Sequence, residues 1–424
     1  MEVGQMAEEV QKQEVVSAGP SDSMRRRAIA SAGVGWGLDG VTWTMYSFAL
    51  TVVLPVLSIS RAQVGWITFA SIAASAVGGI VCGNLADRFG RVRVLTYVIL
   101  GYSLFTGLTA TAQDMTQFII WRVLEGFVFG GEWAVGAALV AEYLNPRVRG
   151  RVMGFIHGCY SLGWAISTAL YLIVFSIAPP ETAWRYLFLL GVLPAVAAFI
   201  IRRTMRDRVD VGTVAPERKA RVRDLFAPGL RKTSILATML GLACQGIYYS
   251  VFVFLPLYLS SVKGFSVVGT AMYTWVVIAG SFLGAVTAGF LHDAIGRRRA
   301  FWILLACATG AIALFVLSPL VGEGFVGYLI CFSLGFFAQA QSAGLGAYLA
   351  ELFPTSIRAT GQGFAYNVGR GIAGVGPLTI GILADQVGLG GAILWVGGVS
   401  ACLGMLAVAG LRETRNTDIL GDVR

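Results

Sequence analysis

Apolar residues in this chain come in long blocks, not in alternating stripes. Between Ile59 and Ala86 the only charge is Arg61, and between Leu304 and Leu334 the only charge is Glu323. A run of about 20 apolar residues is what a helix needs to cross the hydrocarbon of a bilayer. Such a helix satisfies its own backbone polar groups, which lipid cannot do. The pattern predicts about twelve spans, at 28–57, 63–86, 94–112, 115–141, 152–177, 184–202, 233–260, 266–291, 300–320, 325–349, 361–385 and 391–411.

The polar interruptions repeat. "GNLADRFGRVR" starts at Gly83 and "GFLHDAIGRRR" at Gly289; "AEYLNPRVRGRVMGF" starts at Ala141 and "AELFPTSIRATGQGF" at Ala350. The two pairs are separated by nearly the same length, so the second half of the chain repeats the first, six spans and then six more. The expected units are an N-terminal tail (1–24), a first bundle (25–203), a central loop (204–231), a second bundle (232–411) and a C-terminal tail (412–424).

Composition agrees with a membrane chain: 56% of residues are hydrophobic and 13% charged, with a mean hydropathy of +0.73. Soluble chains carry about 25% charged residues. The net charge of +9 reads as topology, not as a nucleic-acid site. Arg25–Arg27, Arg88, Arg91, Arg93, Arg147, Arg149, Arg151, the stretch Arg202–Lys232 and Arg297–Arg299 all fall on one side of the predicted spans. The other side holds little beyond Arg61 and Lys263. Cytoplasmic loops collect Lys and Arg, so both termini are expected in the cytoplasm of a multi-pass cell-membrane protein, the inner membrane if the source is bacterial. The tail up to Ser23 reads as disordered and has no cleaved signal sequence. The six cysteines lie singly within spans, as packing residues and not as disulfide partners or metal ligands.

Two glycine patterns carry no ligand chemistry. "GRGIAG" (Gly369–Gly374) matches a dinucleotide fingerprint, but it lies inside a span, where glycines let helices approach closely. Gly126, Gly130 and Ala134 follow the same spacing along one helix face. With only two histidines, His157 and His292, and no Walker sequence, an enzyme is not expected.

The repeated sentences fall at predicted cytoplasmic turns, where glycine permits a tight reversal. Their acids and arginines (Asp87, Arg91, Glu142, Arg149, Asp293, Arg297, Glu351 and Arg358) are expected to form a breakable cytoplasmic gate between the halves, with Glu142 near Arg149 and Glu351 near Arg358. The alternative is that they are solvated charges that only set topology.

These motifs resemble the major facilitator superfamily, over about Arg25 to Arg415. The resemblance implies an all-α membrane protein of twelve transmembrane helices, in two six-helix pseudo-symmetric bundles around a central cavity that opens alternately to either side. No cofactor is implied beyond a proton gradient, and the expected state is a monomer.

Charges inside spans carry the finer information, because they are costly in lipid. Asp39 lies mid-span one. Arg122, Glu125, Phe129 and Glu132 form one stripe on span four. Arg370 lies mid-span eleven, beside Tyr366 and Asn367. An arginine stays charged and its planar fork fits a carboxylate; a buried acid takes up a proton more readily. Asp39 and Glu132 are therefore candidate proton carriers. Arg370 and Arg122 are candidate anion contacts, with Asn367, Tyr366, Gln245, Tyr248 and Gln339 as candidate cavity lining. Inward movement of one proton gains about 2.3 kcal/mol per 100 mV of membrane potential. The competing readings are structural: Arg370 as a partner of Asp39 or Glu132, Arg122 as a lock between spans four and one, Glu125 as its ion-pair partner, and His157 as a core residue.

"LDG" at Leu38, "RVLEGFVFGGEWAVGAALVAEY" at Arg122 and "YNVGRGIAGVGPL" at Tyr366 resemble the carboxylate- and sialate-proton symporters of that superfamily. Aromatic-acid symporters are similar but carry a second Asp where this chain has Thr42. The expectation is proton-coupled symport of a small organic anion of monocarboxylate, sialate or aromatic-acid type. The alternatives are a sugar or drug carrier, echoed by "RETR" at Arg412 and "CQGIYYS" at Cys244, or a metabolite sensor without transport.

Overall fold

A computed structural model describes residues 22–143, 149–196, 222–354 and 357–415; within its helices the side chains at 22–28, 31–32, 87, 91, 133–143, 149–154 and 359 are left out of the description. The first half contains α1 (Asp22–Val56), α2 (Arg61–Phe89), α3 (Arg91–Thr109), α4 (Met115–Tyr143), α5 (Arg149–Ile177) and α6 (Pro180–Leu190). The second contains α7 (Arg231–Phe252), α8 (Leu255–Ser261), α9 (Val267–Ile295), α10 (Arg297–Leu317), α11 (Gly324–Ala343), α12 (Leu345–Leu352), α13 (Arg358–Ala373) and α14 (Val375–Gly410). Three predicted spans are built from consecutive helices: α7 with α8, α11 with α12, and α13 with the first part of α14. Gly388, at φ 75°, breaks α14 where the last two spans join.

Local chemistry sets the boundaries. Ser60 and Gln63 form a reciprocal capping box at the start of α2, satisfying two donors that the helix itself leaves open. The repeated turn has one geometry in both halves. Gly90 (φ 94°) separates α2 from α3, and Gly296 (φ 90°) separates α9 from α10. Both fall in the left-handed region that costs other residues energy, so the glycine of each copy is what permits a helix to end and the next to begin one residue later.

The halves pack alike. α2 lies along α4 and α9 along α11, while α1 lies along α5 and α7 along α13. A Cβ on Gly126 or Gly130 would strike the α2 backbone at Ser71 or Ser75, and a Cβ on Gly280 or Gly284 would strike the α11 backbone at Phe332 or Phe336. Small residues at such crossings bring backbones into contact, which is how helices associate where no hydrophobic force separates helix from lipid. The "GRGIAG" glycines behave likewise: Gly369 abuts α7 at Leu242, and Gly371 and Gly374 abut α2 at Ala76 and Ile72. Among the described residues the outer surface carries large apolar side chains, Leu104, Ile166, Leu283, Trp395 and Leu406 among them. A surface this apolar marks contact with lipid or partner. All six thiols are unbonded.

The halves meet along α2 with α13 and α14, and along α5 with α9. At the face opposite the arginine-rich turns they are tightly closed. A Cβ on Gly65 would lie 2.7 Å from the Pro377 carbonyl oxygen, and Arg61 stands 3.9 Å from Asp385. Toward the arginine-rich face, Cβ atoms at Gly83, Gly289, Gly346 and Gly363 would meet nothing within 4 Å among the described residues. The end of the central loop, Val222–Phe226, is a 3-10 turn. Leu225 there is buried and Phe226 stacks edge-on against Phe364 of α13; the loop before it lies outside the described residues.

Candidate functional site

A cavity of about 630 Å³, counting the part continuous with solvent, lies between the halves. Helical spacing decides what reaches it. On α1 the lining residues are Trp36, Asp39 and Trp43, at i, i+3 and i+7; α7 gives Gln245, Tyr248 and Tyr249, and α13 gives Tyr366 and Arg370. These are single helix faces turned to one centre. Phe129 of α4, His157 and Tyr160 of α5, Gln339 and Ser342 of α11 and Leu345 of α12 complete the wall.

Arg370 is only 4% exposed. Its guanidinium lies 4.9 Å from the Phe129 ring, and its Nε donates to the Tyr249 hydroxyl at 3.2 Å. Trp43 stacks on Phe129 at 5.2 Å and lies 6.1 Å from Tyr249. One cation is thus framed by rings from both halves, and among the described residues no acceptor is found for its guanidinium donors beyond Nε. Asp39, 1% exposed, lines the same space, and its Oδ1 finds no hydrogen-bond partner among the described residues. A buried polar atom without a partner is costly, so Asp39 brings an unmet acceptor to this cavity.

Of the residues singled out in the sequence, Asp39, Arg370, Tyr366, Gln245, Tyr248 and Gln339 come together in this cavity. Glu132 does not line it. It lies one helical turn away against Gly35, whose missing Cβ leaves room for the carboxylate, and its Oε2 is likewise buried without a partner among the described residues. Arg122 is placed elsewhere too. It pairs with Glu125 on its own helix and lies 4.3 Å over the Tyr46 ring, which ties α4 to α1. Asn367 donates to the Gly363 carbonyl at 2.9 Å and turns its Oδ1 toward Gly79 of α2. Gln341 bridges to the Cys244 carbonyl of α7 at 3.0 Å. His157 lies beside Trp36, with ring centres 5.5 Å apart and the planes tilted by 36°. Trp36, Trp43 and Tyr160 line the cavity as well, without a charge or motif to single them out in the sequence. The spacing of the two tryptophans from Asp39 was the signal available for them.

The side chains of Asp87, Arg91, Glu142 and Arg149 lie outside the described residues. In the second half, Arg297 holds Asp293 at 2.7 Å and Glu351 at 2.8 Å. Glu351, expected near Arg358, pairs with Arg297; Arg358 opens α13. These bonds join α9, α10 and α12 within one half and do not form a bridge between halves. Glu413 completes the group, accepting from the backbone N–H of Arg297 and Arg298 at 2.9 and 3.0 Å. Its partial burial opposes ionisation, but these N–H groups and those of Thr414 and Arg415 outweigh it and hold the carboxyl below its usual range.

Comparison with known proteins places this architecture. A protein of Cupriavidus pinatubonensis named "Probable 4-methylmuconolactone transporter" is 34% identical over 91% of this chain and 90% of its own length. A niacin transporter of Acinetobacter baylyi is 28% identical over 80% of this chain and 82% of its own, and the cis,cis-muconate transport protein of the same organism is 29% identical over 86% and 91%. Among solved structures, a bacterial homologue of the lysosomal transporter Spinster, in an inward-facing and unoccupied conformation, superposes with a TM-score of 0.72 at 18% identity, over 92% of this chain and 98% of that one. Its fold is the twelve-helix, two-bundle one. The family model of the Major Facilitator Superfamily matches residues 33–375. This chain, a multi-pass membrane transporter and not an enzyme, belongs to the Major Facilitator Superfamily.

Proposed function

We propose that the protein imports a small, flat organic anion together with protons, by alternating access. The observation that carries the reading is a shared cavity: Arg370, framed by Phe129 and Tyr249, and Asp39, whose Oδ1 has no hydrogen-bond partner among the described residues, line one space between the halves. Arg370 binds the carboxylate. Asp39 carries the proton: while ionised it competes with the substrate for the arginine, and once protonated it leaves the anion as the better partner. The rings of Trp43, Phe129 and Tyr249 favour a conjugated or aromatic body, since aromatic pairs stack at such separations. The relatives' names, which include muconolactone, muconate and niacin, support an organic acid of that kind. Thr42, which weighed against an aromatic substrate in the sequence, leaves the proton step to Asp39, with Glu132 one turn away as a second carboxylate.

The arginine-rich face is cytoplasmic in this reading, as are both termini, and in a bacterium the membrane is the inner one. Closure at the Arg61–Asp385 face then supports a cavity directed inward. A gate made across the halves would be parted in that state, in keeping with ion pairs kept within the second half.

Proteoliposomes carrying an interior pH dye test the reading. Acidification driven by an aromatic or conjugated acid, and absent in Arg370→Gln and Asp39→Asn, supports it. Counterflow of a labelled sugar that survives Arg370→Gln, without acidification by any acid, would replace the anion reading with a sugar carrier.

A further inference from the structure

The cavity holds a second polar cluster that the Asp39 and Arg370 chemistry does not use. Trp36 of α1 lines the cavity, and its indole Nε1 is buried without a hydrogen-bond partner among the described residues. An indole N–H can only donate. A buried donor left unpaired is a standing cost, so something that enters the cavity is expected to accept from it. Tyr160 of α5 lies close by, its ring centre 6.2 Å from that of Trp36. Tyr248, on α7 of the opposite half, donates its hydroxyl to the Tyr160 oxygen at 2.9 Å. A hydroxyl pair has two protons and uses one between its members. The Tyr160 O–H is therefore a second donor beside the Trp36 N–H.

We infer that Trp36, Tyr160 and Tyr248 form a second anchoring subsite, and that the substrate is a bifunctional acid. Its carboxylate sits on Arg370, its flat body lies among the rings of Trp43, Phe129 and Tyr249, and a hydrogen-bond acceptor elsewhere on that body takes the donors of Trp36 and Tyr160. A ring nitrogen, a lactone carbonyl or a keto oxygen has this chemistry; a bare hydrocarbon edge does not. The inference rests on the organic-anion reading of the cavity. It adds a rule of selection: an acid without the acceptor leaves two donors stranded in a space it has just dried. A site built to hydrogen-bond a group rejects analogues that lack it far more strongly than an apolar pocket rejects a missing methylene. Tyr160 and Tyr248 belong to different halves, so a substrate that engages the pair is also held by both bundles at once.

The test is calorimetric binding to the purified full chain of three probes: benzoate, pyridine-3-carboxylate and 4-acetylbenzoate. Wild type is expected to bind at least one acceptor-bearing acid about tenfold more tightly than benzoate, and Trp36→Phe, which keeps the ring and removes the N–H, to bring that ratio close to one. Tyr160→Phe is a second, independent variant with the same expectation. The preference is a ratio within one preparation, so a fraction of misfolded protein cancels. Equal binding of all three acids to wild type, lost throughout in Arg370→Gln, would overturn the second subsite and leave the anion reading standing. A preference that survives in both Trp36→Phe and Tyr160→Phe would overturn it as well. If wild type binds none of the acids but binds a neutral sugar, both readings fall together.

Discussion

Arg370 of α13 and Phe129 of α4 meet across the two halves of the chain, the guanidinium 4.9 Å from the ring centre. The arginine also donates a hydrogen bond at 3.2 Å to Tyr249, in its own half. The charge is therefore oriented by both bundles. Replacing it with glutamine removes the cation and leaves the frame. Breaking a buried charge pair typically costs about 2–5 kcal/mol. Arg370→Gln is expected to weaken substrate binding about 30-fold or more, measured by calorimetry. Arg370→Lys keeps the charge without the planar fork and is expected to recover only part of the loss.

Asp39→Asn separates proton coupling from binding. Asparagine nearly matches the acid in shape but cannot carry a proton across. Exchange of labelled for unlabelled substrate is expected to persist, while uphill uptake and lumen acidification are lost. Equal loss of exchange and uptake would make Asp39 a binding or structural residue.

The close approach of α2 and α4 gives a stability prediction. A side chain at Gly130 would drive into the Ser75 backbone, whereas one at Gly346 would meet open space among the described residues. Overpacking a well-packed site costs about 1–3 kcal/mol. Gly130→Val is expected to lower the unfolding temperature in detergent clearly, and Gly346→Ala to leave it within error.

Glu413 supplies a pH dependence outside the spans. Backbone donors hold its carboxyl below the usual range in the folded protein. The stability it adds is therefore fully present above the unfolded value, about 4.3, and is lost as pH falls through the depressed folded value. Glu413→Gln is expected to destabilise at neutral pH and to flatten the acid side of the thermal-unfolding profile, with the two proteins converging once pH has fallen through that depressed value.

The sequence by itself determined the class and the plan of the molecule. Apolar blocks of bilayer length leave no solution but spanning helices, so the spans from 63–86 to 391–411 could be read within a few residues, except 184–202, whose helix α6 ends at Leu190 and whose last residues lie outside the described ones. The two copies of the charged turn made the halves legible, because only glycine suits the backbone at Gly90 and Gly296. Buried charges were also legible as such: Asp39 and Arg370 stand out where every neighbour is apolar. Which of them face one another was not, because a residue's face on its own helix says nothing about where that helix sits. Arg122, Glu125 and Glu132 share a stripe with Phe129, yet only Phe129 reaches the cavity; the others turn to Tyr46, to one another and to Gly35. Asn367 adjoins Tyr366 in sequence and turns instead to α2. The cavity's aromatic wall comes from helices hundreds of residues apart, and only their packing, set by backbone contacts such as Gly65 on Pro377, brought Trp36, Trp43 and Tyr248 around Arg370.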